Sequence, residues 1–254
     1  MRFAHAIVRP PGETFVDGIT TANLGLPDFD TALLQHAAYV NALESGGLTV
    51  RALDADNRFP DSTFVEDTAV LTERCAIITN PGAGSRNGEK AAMRRVIEAY
   101  FSAVETIRAP GTLDGGDVLQ VDDHFFIGIS ERTNTEGAWQ LNRILARYGY
   151  TASTIELDAM LHLKTGVSYL GEGRLVAIGD LQQHPDFRPF DIIPVDVSEA
   201  YAANCIRIND RVLLPAGFPK TRQALEDRGY RVVELEMSEF RKMDGGLSCL
   251  SIRF

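Results

Sequence analysis

The chain has 254 residues, 44% of them hydrophobic, which is enough for a sizeable core in one large domain or two small ones. Its formal net charge of −10 argues against nucleic acid or an anionic membrane surface as a partner. No apolar run approaches a membrane span, the first residues do not resemble a signal peptide, and three cysteines without paired spacing indicate a reducing compartment. We therefore expect a cytoplasmic protein.

A repeated pattern of two apolar strands joined by a tight polar turn follows the first predicted helix. Residues 3–9 predict a strand, a helix runs from about Asp30 to Ser45, and residues 48–54 predict another strand. Short polar or Gly-rich turns between apolar runs are typical of β-hairpins. Four such hairpins are predicted, at residues 68–82, 117–130, 167–179 and 205–217.

Three of the four hairpins are followed by an amphipathic helix and then a further strand. Apolar residues at helical spacing lead into strands at residues 104–109 and 153–157, and a shorter helix near 221–227 leads into residues 230–236. The third unit is irregular, because residues 181–190 are too proline-rich for a long helix and run directly into a strand at 191–197.

A fifth unit is predicted from the two ends of the sequence, with residues 248–254 pairing with residues 3–9. A repeat of roughly 40 to 50 residues indicates a closed array of similar units. We predict an α/β fold: one catalytic domain over residues 1–254, forming a five-bladed α/β propeller of ββαβ repeats with pseudo-fivefold symmetry. An ordinary α/β sandwich with coincidental hairpins is the alternative.

Three residues in loops that lead into hairpin strands are candidates for catalysis. Cys249 follows two glycines in a loop where a thiol is accessible enough to ionise and attack, whereas Cys75 and Cys205 lie in apolar strands. His162 offers an imidazole that titrates near neutral pH. Asp114, in Leu-Asp-Gly-Gly-Asp, can orient an imidazole, although an ordinary turn is the default for this motif.

The acidic segment before the first hairpin suits a planar cation. It contains Asp61, Glu66 and Asp67 around the aromatic Phe64, and a guanidinium binds carboxylates while tolerating an apolar face. A solvated acidic loop is the alternative. At matching hairpin exits, Arg86 and Arg132 are suited to a carboxylate, or either belongs to a structural network. No metal-ligand spacing and no phosphate-binding glycine loop occurs, so we expect neither metal nor cofactor.

Seven motifs in order resemble one family over nearly the whole chain. They are FPDSTFVED, PGAGSRNGE, LDGGDVL, ERTN, LHLKTG, YAANCI and DGGLSC. Together they are similar to those of the dimethylarginine dimethylaminohydrolase family, part of the guanidine-modifying superfamily with five-bladed propellers. The resemblance implies hydrolysis of N-omega-methylated arginine to citrulline and dimethylamine or methylamine, without a cofactor. It also implies a small-molecule substrate and a possible homodimer.

The resemblance also implies a role for each candidate residue. Cys249 would attack the guanidinium carbon, His162 would protonate the leaving amine and later activate water, and Asp114 would orient His162. The intermediate would be a covalent thiouronium. The implied substrate-binding residues are Glu66 and Asp67 for the guanidinium, Phe64 for the pocket wall, Asp61 for the α-amino group, Arg86 and Arg132 for the α-carboxylate, and Ile19 for a lid.

Two other functions remain open at this point. Arginine deiminases resemble this pattern but generally carry an inserted helical domain and a carboxylate two residues after the catalytic histidine, where this chain has Lys164. A dimethylated nitrogen has no N–H for such a carboxylate, so Lys164 favours a methylated substrate. An amidinotransferase would usually have a longer chain. The alternative of another class is a non-catalytic binding protein of the same fold.

Overall fold

The computed structural model describes residues 2–158 and 160–254, and within them the chain forms fifteen short strands in five three-stranded sheets. The strands are β1 His5–Val8, β2 Thr49–Ala52, β3 Ala69–Leu71, β4 Ala76–Ile78, β5 Val104–Thr106, β6 Val118–Val121, β7 His124–Ile129, β8 Thr151–Glu156, β9 Val167–Gly171, β10 Arg174–Ala177, β11 Asp191–Pro194, β12 Ile206–Ile208, β13 Arg211–Pro215, β14 Arg231–Leu235 and β15 Ile252–Arg253. The helices are α1 Phe29–Ser45, α2 Lys90–Ile97, α3 Thr135–Arg147, α4 Leu163–Gly166, α5 Pro219–Glu226 and α6 Ser238–Arg241.

All five sheets share one pairing scheme. The first strand of each unit pairs antiparallel with the second, and the second pairs parallel with the third, as in β3–β4–β5 and β6–β7–β8. The sheet β15–β1–β2 follows the same scheme, with Ile7 opposite Ile252. The predicted mixed α/β class is therefore confirmed, and the first and last strands of the sequence do lie in one sheet.

Local turn chemistry explains why the hairpins close where they do. Asp122 and Asn209 adopt positive φ angles of 53° and 50° in the turns before β7 and β13, and Asp and Asn tolerate this left-handed region better than most residues. The β3–β4 turn is closed differently. Thr72 Oγ1 accepts hydrogen bonds from the backbone N–H groups of Arg74 and Cys75, at 3.1 and 3.0 Å.

The helices lie between the second and third strands of most units. α2, α3 and α5 occupy this position as predicted, and α1 does so in the unit that joins the two ends of the sequence. Between β10 and β11 there are only 3₁₀ turns, as the prolines predict, and the fully buried Phe187 fills the interior there. No helix in the described part of the chain is long and apolar enough to cross a bilayer.

The first strands of the five units surround a common space. β6 lies beside β9, β9 beside β12, and β15 beside β3. Residues of all five first strands line one cavity, which we call the strand-lined cavity. The short helical turns that precede these strands also contact one another, for example residues 65–68 with residues 115–117 and 248–250. The fold thus gathers at one place turns that are far apart in sequence.

Candidate active site

The three catalytic candidates lie in one pocket beside these turns. Asp114 precedes β6, His162 precedes β9 and Cys249 precedes β15, and all three line a pocket distinct from the strand-lined cavity. The predicted residues Ile19, Asp61, Phe64, Asp67, Arg86 and Arg132 line the same pocket. The thiol, the imidazole and several carboxylates therefore share one space, as a covalent hydrolase requires.

His162 is held by Asp114 and is readily protonated. Its Nε2 lies 3.1 Å from Asp114 Oδ2, and Asp114 Oδ1 accepts a hydrogen bond from the Gly82 N–H at 2.9 Å. Burial lowers the pKa of His162. The charge of Asp67, the hydrogen bond with Asp114 and the charge of Asp117 outweigh burial and raise the pKa to about 9. The imidazole is thus an imidazolium at neutral pH and is prepared to act as an acid.

We expect this imidazolium to make stability fall as the pH rises. A histidine whose pKa rises from 6.5 to about 9 on folding stabilises the protein fully below pH 6.5, and the contribution is lost as the pH passes the folded-state value. At about 1.4 kcal/mol per pKa unit, the full loss amounts to roughly 3 kcal/mol. Urea unfolding below pH 6.5 and above pH 9 would measure this loss of stability. The His162→Gln variant should show a smaller fall than the native chain, and equal falls would contradict the raised pKa.

Asp67 places an ionised carboxylate in the pocket. Its Oδ2 accepts a hydrogen bond from Arg86 Nη1 at 2.6 Å, and its Oδ1 accepts one from the Gly116 N–H at 2.9 Å. Burial raises the pKa of Asp67, but the charges of His162 and Arg86 outweigh burial and lower the pKa below its usual value. Gly116 is needed here, because a Cβ on it would lie 2.7 Å from His162 Nδ1.

The thiol of Cys249 is protonated in the free protein. Burial, followed by the charges of Glu66 and Asp67, raises its pKa to about 12. The Gly246 N–H donates a hydrogen bond to the sulfur at 3.5 Å, and Ser248 Oγ lies 4.0 Å from it. A positive charge placed beside the sulfur would lower the pKa again, so a cationic ligand is the natural activator of this nucleophile.

Arg86 belongs to an internal network, the alternative that the sequence leaves open. Its Nε and Nη2 donate hydrogen bonds to the two carboxylate oxygens of Glu89 at 3.0 and 2.9 Å, and Nη2 also donates to the Phe64 carbonyl. With Asp67 as a further partner, little of this buried guanidinium remains for a ligand. Arg132 differs, because within residues 2–158 and 160–254 its guanidinium has no hydrogen bond or ion pair.

Glu66 is the one predicted substrate-binding residue that does not line this pocket, and its role stays a prediction. Its carboxylate forms an ion pair with Lys164 at 2.6 Å, accepts a hydrogen bond from Ser248 Oγ at 2.8 Å, and faces the strand-lined cavity. Successive side chains in a 3₁₀ turn point about 120° apart, and Glu66 and Asp67 accordingly line different cavities. Of these two adjacent carboxylates, Asp67 is the one that lines the pocket.

The segment around Ile19 forms part of the pocket wall. The Ile19 N–H donates a hydrogen bond to Asp61 Oδ1 at 3.0 Å, and the Thr21 hydroxyl donates one to Asp244 at 3.0 Å. Burial raises the pKa of Asp61 against the opposing charge of Arg86 and this N–H. Ile19 is thus tied to a carboxylate of the pocket, and its role as a lid stays a prediction.

Asp117 supports the site and was not predicted as a site residue. It is fully buried and accepts hydrogen bonds from Ser130 Oγ at 2.7 Å, Thr133 Oγ1 at 2.6 Å and the Leu163 N–H at 3.0 Å. It therefore fixes the backbone immediately after His162. The only sequence signal is its place in the Asp-Gly-Gly-Asp motif, which describes a turn equally well.

One group of side chains in the described part of the chain has the geometry of a metal site. Ligand atoms of Asp67, Asp114 and His162 lie within 4.8 Å of one another, and all three residues are buried. These atoms already have partners, since Asp114 pairs with His162 and Asp67 pairs with Arg86. The expected absence of metal and cofactor stays a prediction.

The chain matches one family model and, along nearly its full length, several known proteins. Residues 57–199 match the family model described as arginine deiminase. An N(G),N(G)-dimethylarginine dimethylaminohydrolase of Pseudomonas aeruginosa is 49% identical over 99% of this chain and 100% of its own length. One of Streptomyces coelicolor is 35% identical over 98% of this chain and 96% of its own length.

A solved structure agrees with the sequence relatives. It is a Cys-to-Ser variant of the Pseudomonas aeruginosa enzyme complexed with citrulline, with a TM-score of 0.99, 48% identity and full coverage of both chains. The chain belongs to the dimethylarginine dimethylaminohydrolase family. The resemblance found in the sequence motifs is thereby confirmed.

Proposed function

We propose that this protein hydrolyses N-omega-methylated arginine to citrulline and dimethylamine or methylamine. The observation that carries the proposal is the shared pocket of Cys249, His162 and Asp67, in which a thiol, an imidazolium and an ionised carboxylate surround one space. Relatives over the full length are named for this reaction, and one of them has been solved with citrulline. A guanidinium is a poor electrophile, so a thiolate nucleophile and a carboxylate that holds the cation suit it.

The reaction runs in two halves. Binding of the substrate cation lowers the pKa of Cys249, the thiol proton leaves to solvent, and the thiolate attacks the guanidinium carbon. The imidazolium of His162 gives its proton to the methylated nitrogen, and the amine departs from a covalent thiouronium. The neutral imidazole then takes a proton from water, hydroxide adds to the same carbon, and the thiolate is expelled while the added hydroxyl loses its proton to solvent, giving citrulline.

The remaining groups orient the substrate. Asp67 binds guanidinium nitrogens through charge-assisted hydrogen bonds. Asp61 accepts the α-amino group, and Arg132, with its free guanidinium, binds the α-carboxylate. Arg86 acts mainly on Asp67, and Asp114 keeps the imidazole of His162 oriented.

The contacts of Lys164 favour a methylated substrate over arginine. Residue 164, two positions after His162, is a lysine, and its ion pair with Glu66 lies on the side of the strand-lined cavity. Helix α4 therefore offers no carboxylate to the leaving nitrogen. An unmethylated nitrogen would leave N–H donors without an acceptor there, whereas a dimethylated nitrogen has none to satisfy.

A substrate series tests the proposal. We expect citrulline release from dimethylarginine and monomethylarginine to exceed release from arginine by about tenfold or more in kcat/KM, since an unpaired buried donor costs about 1–3 kcal/mol. Amine release measured in parallel identifies the bond cleaved. Preference for arginine would instead assign an arginine deiminase activity, and tight binding without turnover would assign a binding protein.

The same proposal includes the architecture. The five sheets are the blades of one α/β propeller around the strand-lined cavity, and residues 1–254 act as a single catalytic domain. The neighbouring first strands and the pairing of β15 with β1 support this arrangement. Three free cysteines support the cytoplasm as the compartment. The homodimer and the absence of nucleic-acid and membrane partners stay predictions.

A further inference from the structure

Four of the five units supply a reactive or charged group to the pocket. The remaining unit, β12–β13–β14, has an uncharged residue at the corresponding position. Asp67, Asp114, His162 and Cys249 lie in the turns before β3, β6, β9 and β15. At the corresponding place before β12 stands Asn204, which does not line the pocket and is 6% exposed. A buried carboxamide in this position requires hydrogen-bond partners.

The carboxamide of Asn204 joins the backbone around the nucleophile to the backbone around the imidazole. Its Oδ1 accepts a hydrogen bond from the Ser248 N–H at 2.8 Å, one residue before Cys249. Its Nδ2 donates to Ser248 Oγ and to the Lys164 carbonyl, both at 3.1 Å, and Lys164 lies two residues after His162. One side chain thus bonds both loops that carry the reacting groups.

The neighbouring glycine is shaped to admit this side chain. A Cβ on Gly246 would lie 2.5 Å from Asn204 Cγ, so any other residue would displace the carboxamide. Gly246 also donates its N–H to the Cys249 sulfur. Asn204 therefore contacts the turn that positions the thiol at two places, Gly246 and Ser248.

We propose that Asn204 is a positioning residue that fixes the sulfur of Cys249 relative to the imidazole of His162. The inference rests on the proposed function for its effect on turnover. The groups that bind the substrate, Asp61, Asp67 and Arg132, lie on other segments, so loss of Asn204 should lower kcat with little change in KM.

The test uses Asn204→Ala in the full chain, with Asn209→Gly as the matched control. Asn209 also makes three side-chain hydrogen bonds, to the Phe3 backbone N–H and carbonyl and to the Gly46 carbonyl, but at the far end of β12. Glycine is chosen because Asn209 has a φ of 50°. We expect kcat for dimethylarginine to fall about tenfold to a hundredfold in Asn204→Ala, as for a reacting group displaced by about 1 Å. Asn209→Gly should retain kcat.

Alkylation by iodoacetamide provides a readout that does not depend on turnover. Cys75 and Cys205 are buried, so Cys249 is the thiol that reacts. Release of its turn should expose the sulfur and speed alkylation about threefold or more, while turnover slows. Unchanged alkylation, or a kcat within twofold of the native value, would overturn the positioning role even if the hydrolase function holds.

The variant Asn204→Asp adds a pH signature. A buried carboxyl that shares the Ser248 hydroxyl with Glu66 has a raised pKa, and in its protonated form it regains one donor of the lost amide. We expect the ratio of its kcat to the native kcat to rise as the pH falls, whereas the ratio for Asn204→Ala stays flat. A flat ratio for Asn204→Asp would contradict the role of the Nδ2 donors.

Discussion

Replacement of Cys249 with serine is expected to lower kcat for dimethylarginine by at least about a thousandfold, because the reaction loses its nucleophile. A serine hydroxyl is far harder to ionise than a thiol, and His162, which is already protonated at neutral pH, cannot act as its base. Citrulline formation measured under saturating substrate would detect the loss. Binding of citrulline should be retained, because Asp67 and Arg132 are unchanged.

Cys75→Ala is the matched control for this substitution. Its thiol is also free, but it lies in the core beside Thr72 and away from the pocket. We expect it to lose stability and to keep its turnover per folded molecule. Mass spectrometry after rapid quenching should find the thiouronium on Cys249 in the native chain. Turnover by Cys249→Ser, or an adduct on another residue, would refute the mechanism.

Asp67→Asn is expected to lower kcat/KM by about a hundredfold to a thousandfold, because charge-assisted hydrogen bonds to the substrate are replaced by neutral ones. The variant also removes the largest charge that raises the pKa of His162. The alkaline fall of kcat, which reports loss of the imidazolium, should therefore move to lower pH. Steady-state rates across the pH range would measure both effects.

Glu199→Gln is a suitable comparison for Asp67→Asn. Glu199 is a buried carboxylate that accepts hydrogen bonds from the Thr221 N–H and hydroxyl, both at 2.7 Å, and it does not line the pocket. It should lower stability without moving the pH profile. An Asp67→Asn variant with native kcat/KM, or with an unshifted alkaline limb, would show that Asp67 neither holds the substrate nor tunes His162.

The units of the fold were predictable because each is encoded locally. Polar turns between apolar runs predict the hairpins, and the prolines of residues 181–190 predict the missing helix. The catalytic candidates could be found because they occupy corresponding loops of a repeat. Side-chain direction within a turn could not be found in this way, since the orientations of Glu66 and Asp67 depend on neighbours that the fold supplies.

Supporting residues were hardest to recognise. Arg86 has the same sequence setting as Arg132, and the positions of Glu89 and Asp67 decide that one is enclosed and the other is available. Asn204 lies in a segment without a distinctive chemical signal, and Asp117 resembles a turn residue. Their roles depend on hydrogen bonds between segments that the pattern of a single segment does not reveal.

The pairing of β1 with β15 has a consequence for the order of synthesis. The sheet that carries the turn of Cys249 combines residues 5–8 with residues 252–253, so β1 waits for its neighbour until the ribosome has made the strands of the other four sheets. A nascent chain can already hold Asp67, Asp114 and His162 while the sulfur is still unmade. The reactive combination therefore arises only after the strands of the other four sheets have been made.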